Sequence, residues 1–218
     1  MKYKAVLLDM DGTVLDTVED IKDSANTALR KYGLPEMNTA QAKARLGNGS
    51  RVLISKSMPA GADSELLEKV LEFYIPYYDS HSHIKTKPYD GIPELMKNLK
   101  KSGRRLAIIS NKPDSTVKEL AAEFFPGLLE TAVGESAEVK RKPNPDAVLA
   151  AAKRLGLSAD DCVYAGDSEV DIETARRAGM DCICVSWGFR SRQQLLSSGA
   201  VRIADTPEEL EKMINETL

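Results

Sequence analysis

The chain has 218 residues, 42% of them apolar, with 30 Lys and Arg against 33 Asp and Glu, enough for the core of one large domain or of a domain with a smaller appendage. A formal charge of −3 without a basic block excludes nucleic acid as an expected partner. The start of the chain runs into a strand with no charged-then-apolar leader, and no apolar run approaches bilayer length, so a cytoplasmic setting with no membrane contact is expected.

The first element is the apolar run Ala5-Val6-Leu7-Leu8, which ends in Asp9-Met10-Asp11-Gly12-Thr13. Such a run suits a strand covered on both faces, and a buried strand of an open α/β sheet delivers the residues beyond its carboxyl end into the ligand crevice. In a plain turn, Gly12 would supply positive φ and Thr13 a cap. An EF-hand loop also begins D-x-D, but it follows a helix and needs a distal Glu, and neither context is present. Asp16-Thr17-Val18-Glu19 reads as a capping box opening a helix to Tyr32, closed by Gly33 and Pro35. Helical composition returns at Thr39 to Leu46, Arg51 to Ser57 and Asp63 to Tyr78, with Gly47-Asn48-Gly49 and Pro59-Ala60-Gly61 as breaks. His81 and His83 lack a third ligand nearby and read as solvated linker residues.

The next clear strand starts at Leu106, and so long a connection needs structure of its own. A helical bundle is therefore expected over residues 15–82, inserted after the acidic turn and suited to act as a lid, with residues 1–14 and 83–218 as the core. From Leu106 onward the apolar runs Leu106 to Ile109, Val163 to Ala165 and Ile183 to Val185 alternate with helical segments. These are Pro113 to Phe125, Pro145 to Leu155, Val170 to Ala178 and Pro207 to Ile214, with Gly156 and Gly179 as stops. The alternation predicts an α/β fold with a doubly wound parallel sheet. Cys162, Cys182 and Cys184 form neither a disulfide framework nor a zinc motif and read as small core residues.

Three later strand ends carry chemistry. Ser110-Asn111-Lys112 offers a hydroxyl and an amide, with Pro113 opening the next helix, a seat for phosphate. Arg141-Lys142-Pro143-Asn144-Pro145 supplies Lys142 as a point charge for phosphate. Gly166-Asp167-Ser168-Glu169-Val170-Asp171 is a second acidic turn. If its strand lies near the first, Asp9, Asp11, Asp167 and Asp171 converge, and carboxylates about 4 Å apart repel by about 4 kcal/mol at an effective dielectric near 20. A hard dication such as Mg²⁺ relieves this. Four aspartates, the dication and Lys142 leave one negative charge, which a proton on Asp11 would cancel. Asp9, continuing the buried strand, suits a nucleophile that forms an aspartyl-phosphate, and Asp11 suits the acid and base.

VLLDMDGT, IISNK, the lysine of KRKPNP and YAGDSEVDIETARRAG, in this order, resemble the four motifs of the haloacid dehalogenase superfamily across the whole chain. The resemblance implies a Rossmann-like core with an inserted α-helical cap. Asp9 is then nucleophile and metal ligand, Asp11 the acid/base that also gives its backbone carbonyl to the metal, and Asp167 a further ligand. Ser110 and Lys142 hold the phosphoryl group, and Asp171 supports the metal shell. Gly12, Thr13 and Asn111 complete the expected substrate contacts. The cap resembles that of the phosphoglycolate phosphatase-like group, in which Gly47, Asn48 and Arg51, or Arg45 in place of Arg51, would meet the leaving group. The implied activity is Mg²⁺-dependent hydrolysis of a small-molecule phosphate ester by a monomer or homodimer. A phosphomutase of the β-phosphoglucomutase type and a pyrophosphatase share this architecture. A receiver-like phospho-aspartate switch would place its Asp on a different strand and carry no such cap.

Overall fold

In the computed structural model, which describes residues 2–216, the chain separates into two compact units. One comprises Met1–Leu15 with Pro88–Leu218, the other Asp16–Lys87.

The chain opens with strand β1 (Ala5–Asp9) and the two-residue β2 (Leu15–Asp16). The second unit then runs through α1 (Val18–Lys31), α2 (Thr39–Arg45), α3 (Gly49–Ser57) and α4 (Ser64–Asp79). Its helices bury one face each, including Ile21, Ala25 and Leu29 of α1 and Val70, Leu71 and Tyr74 of α4, at the three- and four-residue spacing an amphipathic helix requires. The capping box expected at Asp16 does not form. Asp16 is in β2, which pairs with β3 (Lys87–Pro88), and α1 starts beyond Thr17 without a side-chain cap. Glu19 instead accepts from Thr39 Oγ1 at 2.9 Å and pairs with Lys22. His81 also departs from expectation, since its ring stacks on Tyr77 with centroids 4.0 Å apart, so an aromatic neighbour covers part of it.

The larger unit continues with α5 (Ile92–Lys101), β4 (Arg105–Pro113), α6 (Asp114–Phe124), β5 (Thr131–Glu135), α7 (Asp146–Arg154), β6 (Cys162–Gly166), α8 (Glu169–Ala178), β7 (Asp181–Val185), α9 (Arg192–Ser197), β8 (Ile203–Ala204) and α10 (Pro207–Asn215). Six strands form one parallel sheet in the order β5-β4-β1-β6-β7-β8. Strands β5 and β8 and helices α5 and α9 add to the expected elements. Pro113 ends β4 rather than opening α6, because that strand runs on past an irregular register between Ile109 and Pro113.

The unbroken apolar runs are explained by burial on both faces of the sheet. Val6, Leu8, Leu106, Ile108, Val163 and Ile183 pack against Leu95, Met96 and Leu99 of α5, Val117 and Leu120 of α6 and Leu210 of α10. The intervening Ala5, Leu7, Ala107, Ile109 and Tyr164 face Val148 and Ala151 of α7 and Ala175 of α8. All three cysteines are free thiols, Cys162 and Cys184 buried and Cys182 half-buried. No helix among the described residues is long and apolar enough to cross a membrane.

After β1 the sheet grows outward through β4 and β5, then returns to the opposite side of β1 for β6, β7 and β8. The direction of winding reverses between β1 and β6, and at such a switch point neighbouring loops part and leave a crevice at the carboxyl ends of the strands. Leu8 pairs with Ala165 in that seam, so Asp9 and the Gly166-Asp167 turn leave the sheet side by side.

Candidate active site

Asp9, Asp167 and Asp171 are all buried at this seam, and each offers a carboxylate oxygen within 4.8 Å of the others. Asp9 is the last residue of β1, Asp167 follows β6, and Asp171 lies in the first turn of α8, where it completes a capping box with Ser168. Asp171 Oδ2 accepts from Ser168 N at 3.1 Å and Ser168 Oγ at 2.6 Å. Its Oδ1 accepts from Lys142 Nζ at 2.8 Å and from the Tyr164 hydroxyl at 3.0 Å.

Lys142, 3% exposed, joins these groups. Its ammonium also donates to Asp9 Oδ1 at 2.7 Å and to Tyr164 Oη at 3.0 Å, so its three protons meet three oxygens. Asn111 holds the lysine's backbone from both sides, accepting from Lys142 N at 2.7 Å and donating to Lys142 O at 3.1 Å. This makes Asn111 a clamp on the segment that carries the lysine.

Met10 N donates to Asp9 Oδ1 at 2.7 Å. Both donors to Asp9 therefore meet Oδ1, and Oδ2 has no donor among the described residues. Asp167 Oδ2 accepts from Phe189 N at 2.6 Å, and Oδ1 lies 3.5 Å from the Thr13 hydroxyl that donates to it. Gly12, at φ +82°, turns the chain against Asp167, and a Cβ there would fall inside 3.0 Å of that carboxylate. Glycine satisfies the conformation and the close approach together.

Asp11 stands outside the trio. Lys112 Nζ lies 2.7 Å from its Oδ1, and the Ser110 hydroxyl donates to Oδ2 at 3.4 Å. Lys112, 8% exposed, is a second lysine at the site. Counting it, four aspartates, two lysines and one dication sum to zero before a phosphate dianion binds.

Burial and the charge of Asp171 hold the Asp9 carboxyl well above the ordinary carboxylate range, and the same two causes push Asp167 up to about 7. For Lys142 burial alone would favour the neutral amine, but the charges of Asp171 and Asp9 outweigh it and raise the ammonium above its ordinary value. Burial, then Asp171, likewise raises the Tyr164 phenol. Buried carboxylates with one shared ammonium and an all-oxygen donor set fit a small hard dication.

Three functional residues escape the strand-end reading. Lys112 directly follows the Ser110-Asn111 pair, so its position was a usable signal. Tyr164 reads as a core aromatic until register places its hydroxyl beside Lys142. Phe189 contributes only a backbone amide, which no side-chain motif reports.

The remaining expected contacts, Gly47, Asn48 and Arg51, lie in the helical unit. Gly47 adopts φ +109° and Asn48 precedes α3. Arg51 forms a forked pair with Glu68 at 2.5 and 2.7 Å, both side chains exposed, and Arg45 Nη1 donates to Ser57 Oγ at 3.3 Å.

Residues 6–185 match the family model of haloacid dehalogenase-like hydrolases. The chain belongs to that family. Its haloacid dehalogenase-like relatives include a phosphoglycolate phosphatase of Pseudomonas savastanoi pv. phaseolicola, 31% identical over 97% of this chain and 78% of that protein. An N-acetylmuramic acid 6-phosphate phosphatase of Pseudomonas aeruginosa is 29% identical over 100% of this chain and 97% of that one. In three dimensions, a candidate phosphoglycolate phosphatase of Lactobacillus delbrueckii subsp. bulgaricus superposes with a TM-score of 0.95 at 40% identity, covering 99% of this chain and 100% of its own. The protein is thus a phosphatase of the haloacid dehalogenase-like family, a phosphoric monoester hydrolase.

Proposed function

We propose that the chain is a Mg²⁺-dependent phosphatase that hydrolyses a small phosphate monoester through an aspartyl-phosphate on Asp9. The reading is carried by one observation, the buried Asp9 at the β1–β6 switch point with Lys142 bonded to one of its oxygens. With Oδ1 held by Met10 N and Lys142, Oδ2 is the oxygen disposed to attack.

Attack of Asp9 Oδ2 on phosphorus breaks the bond to the ester oxygen, and the departing alcohol takes a proton from Asp11. Asp11 then removes a proton from a water that attacks the phosphorus, releasing phosphate and restoring the Asp9 carboxylate. Lys142 and Ser110 hold the phosphoryl oxygens against the Gly12–Thr13 turn, and Asn111 fixes the lysine's backbone. Asp9, Asp167, Asp171 and the Asp11 carbonyl would hold Mg²⁺, which supplies charge neutralisation at the phosphoryl group. Phosphoryl transfer asks the protein mainly for such positioning and electrostatics.

Residues 1–14 and 83–218 serve in this reading as the catalytic core and 15–82 as the cap that selects the leaving group. The names of the relatives favour 2-phosphoglycolate. Gly47, Asn48 and Arg51 are the proposed cap contacts, with Arg51 leaving Glu68 to meet the substrate carboxylate. An exposed ion pair of this kind is weakly held.

Phosphate release from 2-phosphoglycolate, N-acetylmuramic acid 6-phosphate, pyrophosphate and hexose phosphates, with Mg²⁺ and with chelator, tests the reading. Release from at least one monoester, abolished by chelator and by Asp9→Asn, is expected. Full activity in Asp9→Asn would sink the nucleophile assignment.

A further inference from the structure

The segment that follows β7 touches the catalytic cluster without belonging to any of its motifs. Trp187 Nε1 donates to the Thr13 carbonyl at 3.0 Å, and Phe189 N donates to Asp167 Oδ2 at 2.6 Å. Arg190, 8% exposed, forks onto Glu169 at 2.8 and 3.0 Å. Four consecutive residues thereby reach the Gly12–Thr13 turn, Asp167, and the first turn of α8 that carries Asp171.

Gly188 explains how the segment comes so close. A Cβ there would fall inside 3.0 Å of the Gly12 carbonyl oxygen and of Asp167 Cβ and Oδ2. The obstacle includes fixed backbone, so a larger residue would have to lift the segment away from the turn. That displacement would withdraw the Phe189 amide from Asp167. No positive φ is involved at Gly188, so the requirement is for space.

We propose that Trp187–Arg190 is a clasp whose function is to fix the Asp167 carboxylate for divalent-metal binding, with Gly188 and the Phe189 amide as its positioning elements. The inference rests on the metal-dependent reading above. A carboxylate with one oxygen tied to a backbone amide cannot rotate, and so presents its donor to the ion at lower entropic cost. Partners that orient a metal ligand in this way commonly change affinity by about 10- to 100-fold when lost.

Calorimetric titration of Mg²⁺ into the full-length protein tests the clasp in wild type, Gly188→Ala, Trp187→Phe and Ser186→Ala. The last is a control, since the Ser186 hydroxyl bonds Asp205 at 2.5 Å and none of the cluster. Gly188→Ala is expected to raise the Mg²⁺ Kd about 10- to 100-fold with unchanged far-UV circular dichroism. Trp187→Phe should raise it by a smaller factor, and Ser186→Ala should leave it alone. A folded Gly188→Ala with a Kd within about twofold of wild type overturns the clasp, the expected factor being far larger. Should Gly188→Ala fail to fold, Trp187→Phe decides, and an unaltered Kd there overturns it. Absence of Mg²⁺ binding by wild type overturns the cofactor reading as well, whereas tight binding that Gly188→Ala retains overturns the clasp alone.

Discussion

Replacing Asp167 by asparagine removes one of three clustered negative charges while keeping the shape of the side chain. Asp167 is 1% exposed, and burial together with Asp171 moves its carboxyl from the ordinary 3.8 to about 7. A carboxyl raised in the folded state binds its proton more tightly there than in the unfolded chain. Stability is therefore greatest in acid and falls as pH rises through the window from 3.8 to about 7. At about 1.36 kcal/mol per pH unit, the whole window amounts to about 4 kcal/mol. In chelator, Asp167→Asn is expected to exceed wild type in unfolding free energy by up to about 4 kcal/mol near pH 8, the gap shrinking below about 2 kcal/mol near pH 5, measured by urea denaturation. Mg²⁺ at about 100 times its Kd should restore about 2.7 kcal/mol to wild type and little to the variant. A variant no more stable than wild type near pH 8, or a gap that widens on acidification, refutes the electrostatic account of this cluster.

Asp11→Ala should lower turnover by about 10²- to 10⁴-fold, the range of general acid–base catalysis, while Mg²⁺ affinity measured by calorimetry changes far less; unaltered turnover removes its assigned role. Tyr164→Phe takes away one of the three oxygens that meet the Lys142 ammonium. An unmatched buried N–H of this kind costs about 1–3 kcal/mol, so a lower urea midpoint and a reduced kcat are expected, and an unchanged midpoint would contradict the hydrogen-bond assignment. Arg51→Ala should raise KM for 2-phosphoglycolate and leave turnover of an aryl phosphate whose leaving group carries no carboxylate intact; equal effects on both would end its role in selecting a carboxylate.

Much of the α/β core is legible in the chain because fully buried parallel strands have to be continuously apolar. The runs at Ala5, Leu106, Val163 and Ile183 each became a sheet strand for that reason. Edge strand β5 escapes this signal, since Thr131 and Ala132 are only half-buried. Gly134 there is set by the close approach of the Asp114 backbone, a tertiary demand. Helix α5 did carry a local signature, with Pro93 in its first turn and Ile92, Leu95, Met96 and Leu99 spaced for one face. The local rule at Asp16 failed because β2 claimed the residue that would have capped α1.

Legibility of the site follows the same division. Asp9 and Asp167 stand at the ends of apolar runs, so sheet geometry alone draws attention to them. Tyr164 and Phe189 depend instead on register and on a loop's path, neither of which periodicity encodes. Lys112 lay in view beside Ser110, and only its distance from Asp11 reveals that it balances the site's charge.

In the proposed mechanism phosphoryl transfer passes through Asp9. Quenching the enzyme during steady turnover of a phosphate monoester and reducing with borohydride would convert an acyl-phosphate into homoserine, which peptide mass spectrometry can assign to a position. Homoserine at residue 9, and none in Asp9→Asn, is the expected result. Reduction at another aspartate, or none while phosphate is being released and the chemistry before hydrolysis is fast, would contradict it.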